Sequence, residues 1–285
     1  MLNDVFVYPD VREGQPGWLI EVDAKEAERL AKHIKRYRLR AKFEVRLLEG
    51  GERDVWAIWK GDGEWTAHSL ETKGEKEGEV GCEDKRAPGM GRRLILAGGL
   101  KPEEELDEVG EEVYKVRRYL RGVPEGQDEI IRESALPQQS NIDFMGGIDY
   151  RKGCYVGQEL TIRTHHTGVI RKRILPIMIY GQDEPMPTTL EYNPEKCYGV
   201  EDIPQETSIG RLGKSRRSTG KWLSGVGNIG LGLCRLENMT DSKIQGENSS
   251  YKEGDEFSIG WEIESQVPQL VKVKAFVPSW HLTKQ

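Results

Sequence analysis

The sequence predicts an α+β protein whose second half is a small β-barrel or β-sandwich. In the first half, short β-rich runs alternate with amphipathic helical segments, an order typical of helices packed on one face of an antiparallel sheet. After about residue 169, short β-rich pieces follow one another between clusters of Gly, Pro, Asn and Asp. This change predicts a domain boundary between residues 165 and 170.

The chain opens with a predicted hairpin and helix. Residues 4–8 and 17–22 are β-rich runs on either side of a turn that contains Pro and Gly. Asp23 and Glu26 then form a capping-box pattern, and apolar residues at helical spacing extend to Tyr37. These residues predict a strand pair followed by an amphipathic helix.

The middle of the first half is less regular. Phe43–Leu48 and Asp54–Trp59 predict a second strand pair around a Gly-Gly turn. Residues 61–91 are rich in Gly, Glu and Lys, so most of them are predicted to form a mobile insertion. A strand at Arg92–Ala97 and a helix from about Pro102 to Arg121 follow. The predicted helix has an apolar stripe of Leu106, Val109, Val113, Val116 and Leu120.

The second half contains regularly spaced β-rich pieces, which predict the barrel or sandwich. These are Ile170–Tyr180, Thr207–Leu212, Gly227–Leu236, Glu256–Ile263 and Leu270–Val277. The polar segments Gln182–Gln205 and Asn238–Gly254 are predicted to be solvated loops.

Composition excludes several functional classes. The chain of 285 residues has 42 Lys and Arg against 48 Asp and Glu, a net charge of −6, which argues against a general nucleic-acid binder. No apolar run approaches the ~18 residues of a membrane span. The cysteines form no C-x-x-C pattern, which argues against a disulfide-rich secreted fold or a self-contained zinc site. They are Cys82, Cys154, Cys197 and Cys234.

Residues 135–159 combine glycines, polar side chains and one cysteine in a way that core packing does not require. Val156–His166 can form a short helix, with Gly168 after its C-terminus. Cys154 would then lie just before the helix N-terminus, where unpaired N–H groups, with Arg151 and Lys152 nearby, favour a reactive thiolate. The alternative is that Cys154 is a small buried hydrophobic residue, as most free cysteines are.

Two further groups lie close to this segment. His165 and His166 are adjacent on the predicted helix and point in different directions, so a capping or surface role is favoured over a shared metal site. A basic cluster follows, for which a solvated face and a site for an anionic ligand or acidic partner remain alternatives. It consists of Arg163, Arg171, Lys172 and Arg173.

Residues 152–159, K-G-C-Y-V-G-Q-E, resemble the signature of the YgfZ family, which is related to the aminomethyltransferase (T-protein) of the glycine cleavage system. Leu136-Pro137, Asn141 and Gly146-Gly147 upstream also resemble the family pattern, and the resemblance extends from residue 1 to about residue 277. The long polar insertions resemble those of eukaryotic members, which are mitochondrial iron–sulfur cluster assembly factors.

The resemblance implies a T-protein-like folate-binding fold. Residues 1–167 would form α+β lobes, with a flexible insertion at 61–91, and residues 168–285 would form the aminomethyltransferase-type β-barrel. Family members begin with a further strand–helix segment before the position of Met1, so we expect the first lobe to be incompletely represented.

The resemblance also implies a function in the mitochondrial matrix. The chain would serve in the maturation of [4Fe–4S] proteins with an A-type iron–sulfur carrier protein, as a monomer when free, without nucleic acid and without a membrane span. The implied functional motif is Lys152, Gly153, Cys154, Tyr155, Gly157, Gln158 and Glu159. The implied tetrahydrofolate-binding residues are Asp4, Asn141, Gln158, Glu159 and Arg163.

Three functions are then compared. An assembly factor without enzymatic turnover is favoured, in which Cys154 is one ligand of a [2Fe–2S] cluster shared with a partner, because such a cluster takes about four protein ligands. A folate-dependent aminomethyl transferase is the alternative, but Asn3 stands where the T-protein has an acid and lacks acid–base function. A Cys–His hydrolase is disfavoured, because His165 would lie about 16 Å along the helix from Cys154.

Overall fold

The computed structural model describes residues 1–10, 16–61, 67–68, 80–103, 106–155, 157–213, 218–242, 249–262 and 269–283. The chain packs as two compact units, one of Met1–Val109 with Glu125–Glu133 and one of Gly110–Pro124 with Ser134–Gln285. The domain boundary after residue 167, which the family resemblance implies, stays a prediction. Within the described ranges, no helix is both long and apolar enough to cross a membrane.

In its described residues, the first unit contains small antiparallel sheets and one α-helix. Its elements are β1 (Phe6–Asp10), β2 (Gly17–Glu21), α1 (Ala27–Tyr37), β3 (Arg53–Ile58), β4 (Lys60–Gly61), β5 (Ala67–His68), β6 (Val80–Glu83) and β7 (Arg92–Ala97). Strands β1 and β2 form the predicted hairpin, β4 pairs with β5, and the larger sheet has the order β3-β7-β6. Tyr8, Val80 and Ile95 form a small buried core.

The predicted helix cap acts on a shorter element than expected. The Asp23 carboxylate accepts a hydrogen bond from the Lys25 N–H at 2.9 Å, which caps the 3₁₀ turn Ala24–Glu26. Helix α1 begins after this turn, at Ala27, and buries Ala31.

One prediction for the first half is wrong, and a second is wrong in part. Phe43–Leu48 forms no strand: Phe43, Leu47 and Leu48 are exposed, and β3 pairs with β7 instead. Residues 80–91 are not a mobile insertion, since β6 pairs with β7 and Ala87 and Met90 are buried. The insertion residues 62–66 and 69–79 lie outside the described residues.

The second unit is a closed six-stranded barrel with short helices. Its elements are α2 (Glu111–Arg121), α3 (Gln158–Thr167), β8 (Lys172–Tyr180), β9 (Ser208–Arg211), β10 (Gly220–Val226), β11 (Ile229–Arg235), α4 (Leu236–Met239), β12 (Phe257–Trp261), β13 (Gln269–Ala275) and α5 (Ser279–Leu282). The strand order is β10-β11-β8-β13-β12-β9, and β9 closes the barrel by pairing with β10 as well as β12. The structure therefore selects the barrel over the sandwich.

Helix α2 is shorter than predicted. It begins after Gly110 rather than near Pro102, because Leu106 and Val109 are exposed and extended backbone leads into Gly110. The part of the predicted apolar stripe that lies in the helix includes the buried Val116.

Strand β10 was not predicted, and its packing explains why. The fully buried Trp222 ring lies against Gly225 and Gly230, where any side chain would overlap it. These glycines weaken the β pattern in the sequence, although they are the positions that let the indole enter the barrel core.

Alternate residues of β8 point into the barrel. Leu175, Ile177 and Ile179 are fully buried in the main core. Arg173 has the same parity in this strand and is 5% exposed. A guanidinium at a core-facing position requires a buried partner, and that partner connects the barrel to the predicted functional segment.

Candidate functional site

The segment before Cys154 is fixed to the barrel by a buried ion pair. The Arg173 guanidinium donates to both carboxylate oxygens of Asp143, each at 2.9 Å. The same guanidinium donates to the Gln138 carbonyl at 2.7 Å. Bidentate pairing of this kind fixes orientation as well as distance. Residues 138–143 are therefore held in one position against the start of strand β8.

Asn141 strengthens the same connection. Its side chain is fully buried, and its amide donates to the Gly122 carbonyl at 3.2 Å and the Ile174 carbonyl at 2.7 Å. Its φ of 62° lies in the left-handed region, which asparagine tolerates better than most residues. In this structure the Asn141 side chain joins α2 to β8, and its implied contact with folate stays a prediction.

Aromatic residues close the other side of Arg173. The guanidinium carbon lies 3.6 Å from the Phe144 ring centroid, and Phe144 meets His281 edge to face at 5.2 Å. Burial, and then the charge of Arg173, lowers the pKa of His281 to about 3. Trp280 donates from its indole N–H to the Arg121 carbonyl at 2.9 Å. Helix α5 thus covers the segment at Phe144, and its His281 is neutral there.

A second fixed point lies closer to the cysteine. The Tyr150 and His165 rings stack at a centroid distance of 3.7 Å and an angle of 14°. Burial, and then the charge of Asp143, raises the pKa of Tyr150. The Gln138 side-chain amide donates to the Thr161 carbonyl at 2.7 Å, so helix α3 is also connected to the segment. The His165 and His166 rings lie 5.6 Å apart and tilted by 57°.

Cys154 is exposed, so the structure contradicts the alternative of a buried hydrophobic residue. Helix α3 begins at Gln158, two residues later than predicted, and Val156 lies outside the described residues. Gly157 precedes the helix with a φ of 88°. The Tyr155 N–H donates to the Gln158 side-chain oxygen, and the Gln158 N–H donates to the Tyr155 carbonyl, both at 3.3 Å. This reciprocal pair holds the chain directly after the thiol.

The rest of the predicted motif forms a surface around the cysteine. Lys152, Gly153, Tyr155 and Gly157 are exposed, as are Glu159 and Arg163, while Gln158 is half-buried. The Lys152 ammonium lies 4.9 Å from the Tyr155 ring centroid. The motif residues therefore lie side by side on an accessible face of the second unit.

Asp4 belongs to the first unit. One of its carboxylate oxygens accepts a hydrogen bond from the Gly126 N–H at 3.0 Å, and the other is buried and has no hydrogen-bond partner among the described residues. Burial raises the pKa of Asp4, and the Gly126 N–H opposes this rise. The side-chain amide nitrogen of Asn3 is likewise buried without a partner.

The predicted basic cluster needs one correction. Arg173 is not on a solvated face, because it is buried and paired with Asp143, whereas Arg163 and Arg171 are exposed and Lys172 is half-buried. The sequence contained a usable signal, since Arg173 shares its strand parity with Leu175 and Ile177. No pattern in the sequence indicated that the Tyr150 ring stacks on the His165 ring.

One exposed thiol can supply one of the about four protein ligands that a [2Fe–2S] cluster takes. Across the described ranges, no group of three or more His, Cys, Asp or Glu side chains is placed to hold a metal ion.

Comparison with known proteins gives the family. Residues 171–282 match the family model described as the C-terminal β-barrel domain of CAF17. An iron–sulfur cluster assembly factor IBA57 homolog, mitochondrial, from Pyricularia oryzae is 50% identical, over 98% of this chain and 72% of the relative. The chain belongs to the IBA57 family. Homologs of the same name from Aspergillus oryzae and Aspergillus fumigatus are 48% and 46% identical, each over 98% of this chain and 69% of the relative.

Membership of the IBA57 family confirms the resemblance seen in the sequence and the mitochondrial location. The family model confirms the C-terminal barrel. The names of the relatives describe iron–sulfur cluster assembly factors.

Proposed function

We propose that this chain serves in the maturation of [4Fe–4S] proteins in the mitochondrial matrix, by supplying Cys154 as one ligand of a [2Fe–2S] cluster that an A-type carrier protein holds with the remaining ligands. The exposed thiol on a fixed loop carries this proposal. The cluster is cargo rather than a resident cofactor. The chain acts as a monomer when free, and it has no part in nucleic-acid binding or enzymatic turnover.

The loop geometry suits transient ligation. Tyr150 is held by the stack on His165, and Tyr155 is held by its reciprocal hydrogen bonds with Gln158. These contacts hold the chain on both sides of Cys154, and a chain that is held before the partner arrives loses less conformational entropy on binding. The group that ligates a cluster is the cysteine sulfur. Arg151 and Lys152 directly precede this part of the chain, and their positive charges attract an anionic cluster.

A reconstitution assay tests this role. A [2Fe–2S]-loaded A-type carrier is mixed anaerobically with an apo [4Fe–4S] enzyme and a dithiol reductant, which supplies the two electrons needed to join two [2Fe–2S] clusters into one [4Fe–4S] cluster. The mixture is prepared with and without the chain, and recovery of enzyme activity is followed. The chain is expected to increase recovery, and Cys154→Ser is expected to remove at least nine-tenths of that increase. Cys197→Ser is the matched control, because Cys197 is also an exposed free cysteine. Equal recovery with Cys154→Ser and wild type would contradict the role.

Folate binding is a second candidate function, and Asp4 favours it. A buried carboxylate oxygen without a partner is a site for ligand N–H donors, and the aminopyrimidine edge of tetrahydrofolate offers adjacent N–H groups. Tetrahydrofolate would supply the one-carbon acceptor of an aminomethyl transferase. Asn3 supplies no carboxylate for such chemistry, so we propose binding without turnover. Asn141, Gln158, Glu159 and Arg163 belong to the second unit, and their contacts with folate stay predictions.

A titration with tetrahydrofolate tests this candidate. Asp4→Asn removes the charge at nearly constant volume, and we expect about a 10- to 100-fold loss of affinity, the usual effect of losing a hydrogen bond to a charged group. The melting temperature should not fall, because the variant removes a buried charge. Equal affinity of the two proteins would contradict the role of Asp4, and measurable methylene transfer would favour the transferase alternative.

A further inference from the structure

The face around Cys154 has a charge opposite to that of the whole chain. Residues 149–172 contain five Lys or Arg against two Asp or Glu, a net +3, whereas the chain carries −6. We call the basic residues of this segment the basic surface; they are Arg151, Lys152, Arg163, Arg171 and Lys172. Arg173 is not part of it, because its charge is neutralised by Asp143.

Three of the five cations of the basic surface, Arg151, Lys152 and Arg163, form no ion pair with a carboxylate within the described ranges. Lys152 instead lies against the Tyr155 ring. The Asp149 carboxylate accepts a hydrogen bond from the Arg151 backbone N–H rather than pairing with its guanidinium. Free cations of this kind give the face a positive potential.

Lys172 adds a further positive charge at the barrel end adjoining α3. It lies opposite Arg235 in the pairing of β8 with β11. Burial lowers the pKa of Lys172, and repulsion from Arg235 and Lys221 lowers it further, while Glu237 opposes this change. Arg235 and Lys221 themselves are paired with Glu237 and Glu206, so Lys172 is the member of this group that belongs to the basic surface.

Apolar side chains lie within the basic surface. Tyr155 is 41% exposed and Leu160 is 39% exposed, one directly after Cys154 and the other in the first turn of α3. Lys152 lies against the Tyr155 ring, and Arg163 follows Leu160 by three residues in α3, so that both lie on the same side of the helix. Apolar side chains next to cations are typical of protein interfaces, in which an apolar centre is enclosed by a polar rim.

We infer that the basic surface docks an acidic face of the cluster-bearing partner, with Tyr155 and Leu160 buried at the centre of the contact and Cys154 directed at the cluster. This inference rests on the proposed function. A protein is favoured over a nucleic acid, because the apolar pair requires an apolar counterpart and the chain as a whole repels polyanions. Opposite charges would steer the encounter and fix the orientation of the thiol.

The test measures association kinetics of the intact chain with the loaded carrier at several salt concentrations. The double variant Arg151→Glu with Arg163→Glu is compared with Lys252→Glu, a charge reversal at an exposed lysine elsewhere in the same unit. We expect the double variant to lower the association rate constant at least tenfold at low salt, and Lys252→Glu to change it less than twofold. The wild-type rate should fall with salt, and thermal melting should be unchanged in both variants.

The outcomes separate this inference from the proposed function. Association that depends on Cys154, yet is unaffected by the double variant and by salt, would overturn the inference alone. Charge-dependent association that survives Cys154→Ser with the cluster still bridged would overturn the ligand role and leave the docking surface supported. No association of the wild type, or tighter binding of duplex nucleic acid than of the carrier, would overturn the inference.

Discussion

The Tyr150 ring lies flat against the His165 ring, with 3.7 Å between centroids. This contact joins the start of the Cys154 loop to the last turns of α3, while the Tyr155–Gln158 hydrogen bonds join its end to the first turn. The cysteine is thus displayed on a short loop whose two ends are attached to the same helix.

Removing the stack should loosen the loop without unfolding the unit. Tyr150→Ala is expected to speed hydrogen exchange of the Tyr155 and Gln158 backbone amides about two- to tenfold, because an aromatic pair contributes about 0.5–1.5 kcal/mol. Tyr150→Phe keeps the ring and should exchange like the wild type. Exchange that is unchanged in the alanine variant would mean that the stack does not hold the loop.

The bidentate pair of Arg173 with Asp143 should be important for stability. Asp143→Asn leaves a buried guanidinium without its counter-charge, which typically costs about 3–5 kcal/mol of unfolding free energy. Lys221→Gln, which removes an exposed pair with Glu206, should cost less than about 1 kcal/mol. Urea unfolding of both variants measures the difference. A loss below about 1 kcal/mol for Asp143→Asn would show that the segment is held by other contacts.

His281 should make stability fall in acid. Its folded pKa of about 3 lies below the unfolded value of ~6.5, so the unfolded chain binds the extra proton as pH decreases. Stability from this group is complete above pH ~6.5 and declines toward pH 3, by up to about 1.4 kcal/mol per pH unit.

The matched variant is His281→Gln, which cannot titrate. Between pH 7 and pH 5 we expect the wild type to lose about 1–2 kcal/mol more unfolding free energy than the variant, measured by urea unfolding at each pH. Equal losses would indicate that His281 is hydrated and protonated in the folded protein.

The sequence predicted those elements whose apolar pattern is local. Local β-rich patterns in the sequence mark the hairpin of β1 and β2, the strand β7 and the barrel strands other than β10. The Phe43–Leu48 segment has a pattern of the same kind but forms no strand, and its predicted partner β3 pairs with β7 over a long sequence separation. Pairing between distant segments is not encoded in a local pattern.

The candidate site divides in the same way. The motif around Cys154 could be predicted because its residues are contiguous and exposed. The contacts that fix the motif could not be predicted. Asp143 and Arg173 are 30 residues apart in the sequence, and Tyr150 is separated from His165 by the Cys154 loop and most of α3. The parity of Arg173 in β8 indicated only that some buried partner was needed.

The role of the Cys154 thiol is tested most directly by gel filtration under anaerobic conditions with visible absorption detection. Wild type and Cys197→Ser, mixed with a [2Fe–2S]-loaded A-type carrier, should elute as one larger complex that carries the cluster absorption. Cys154→Ser should elute separately, with the cluster remaining on the carrier. A Cys154→Ser protein that still co-elutes with the cluster-loaded carrier would contradict the role of this thiol as a ligand.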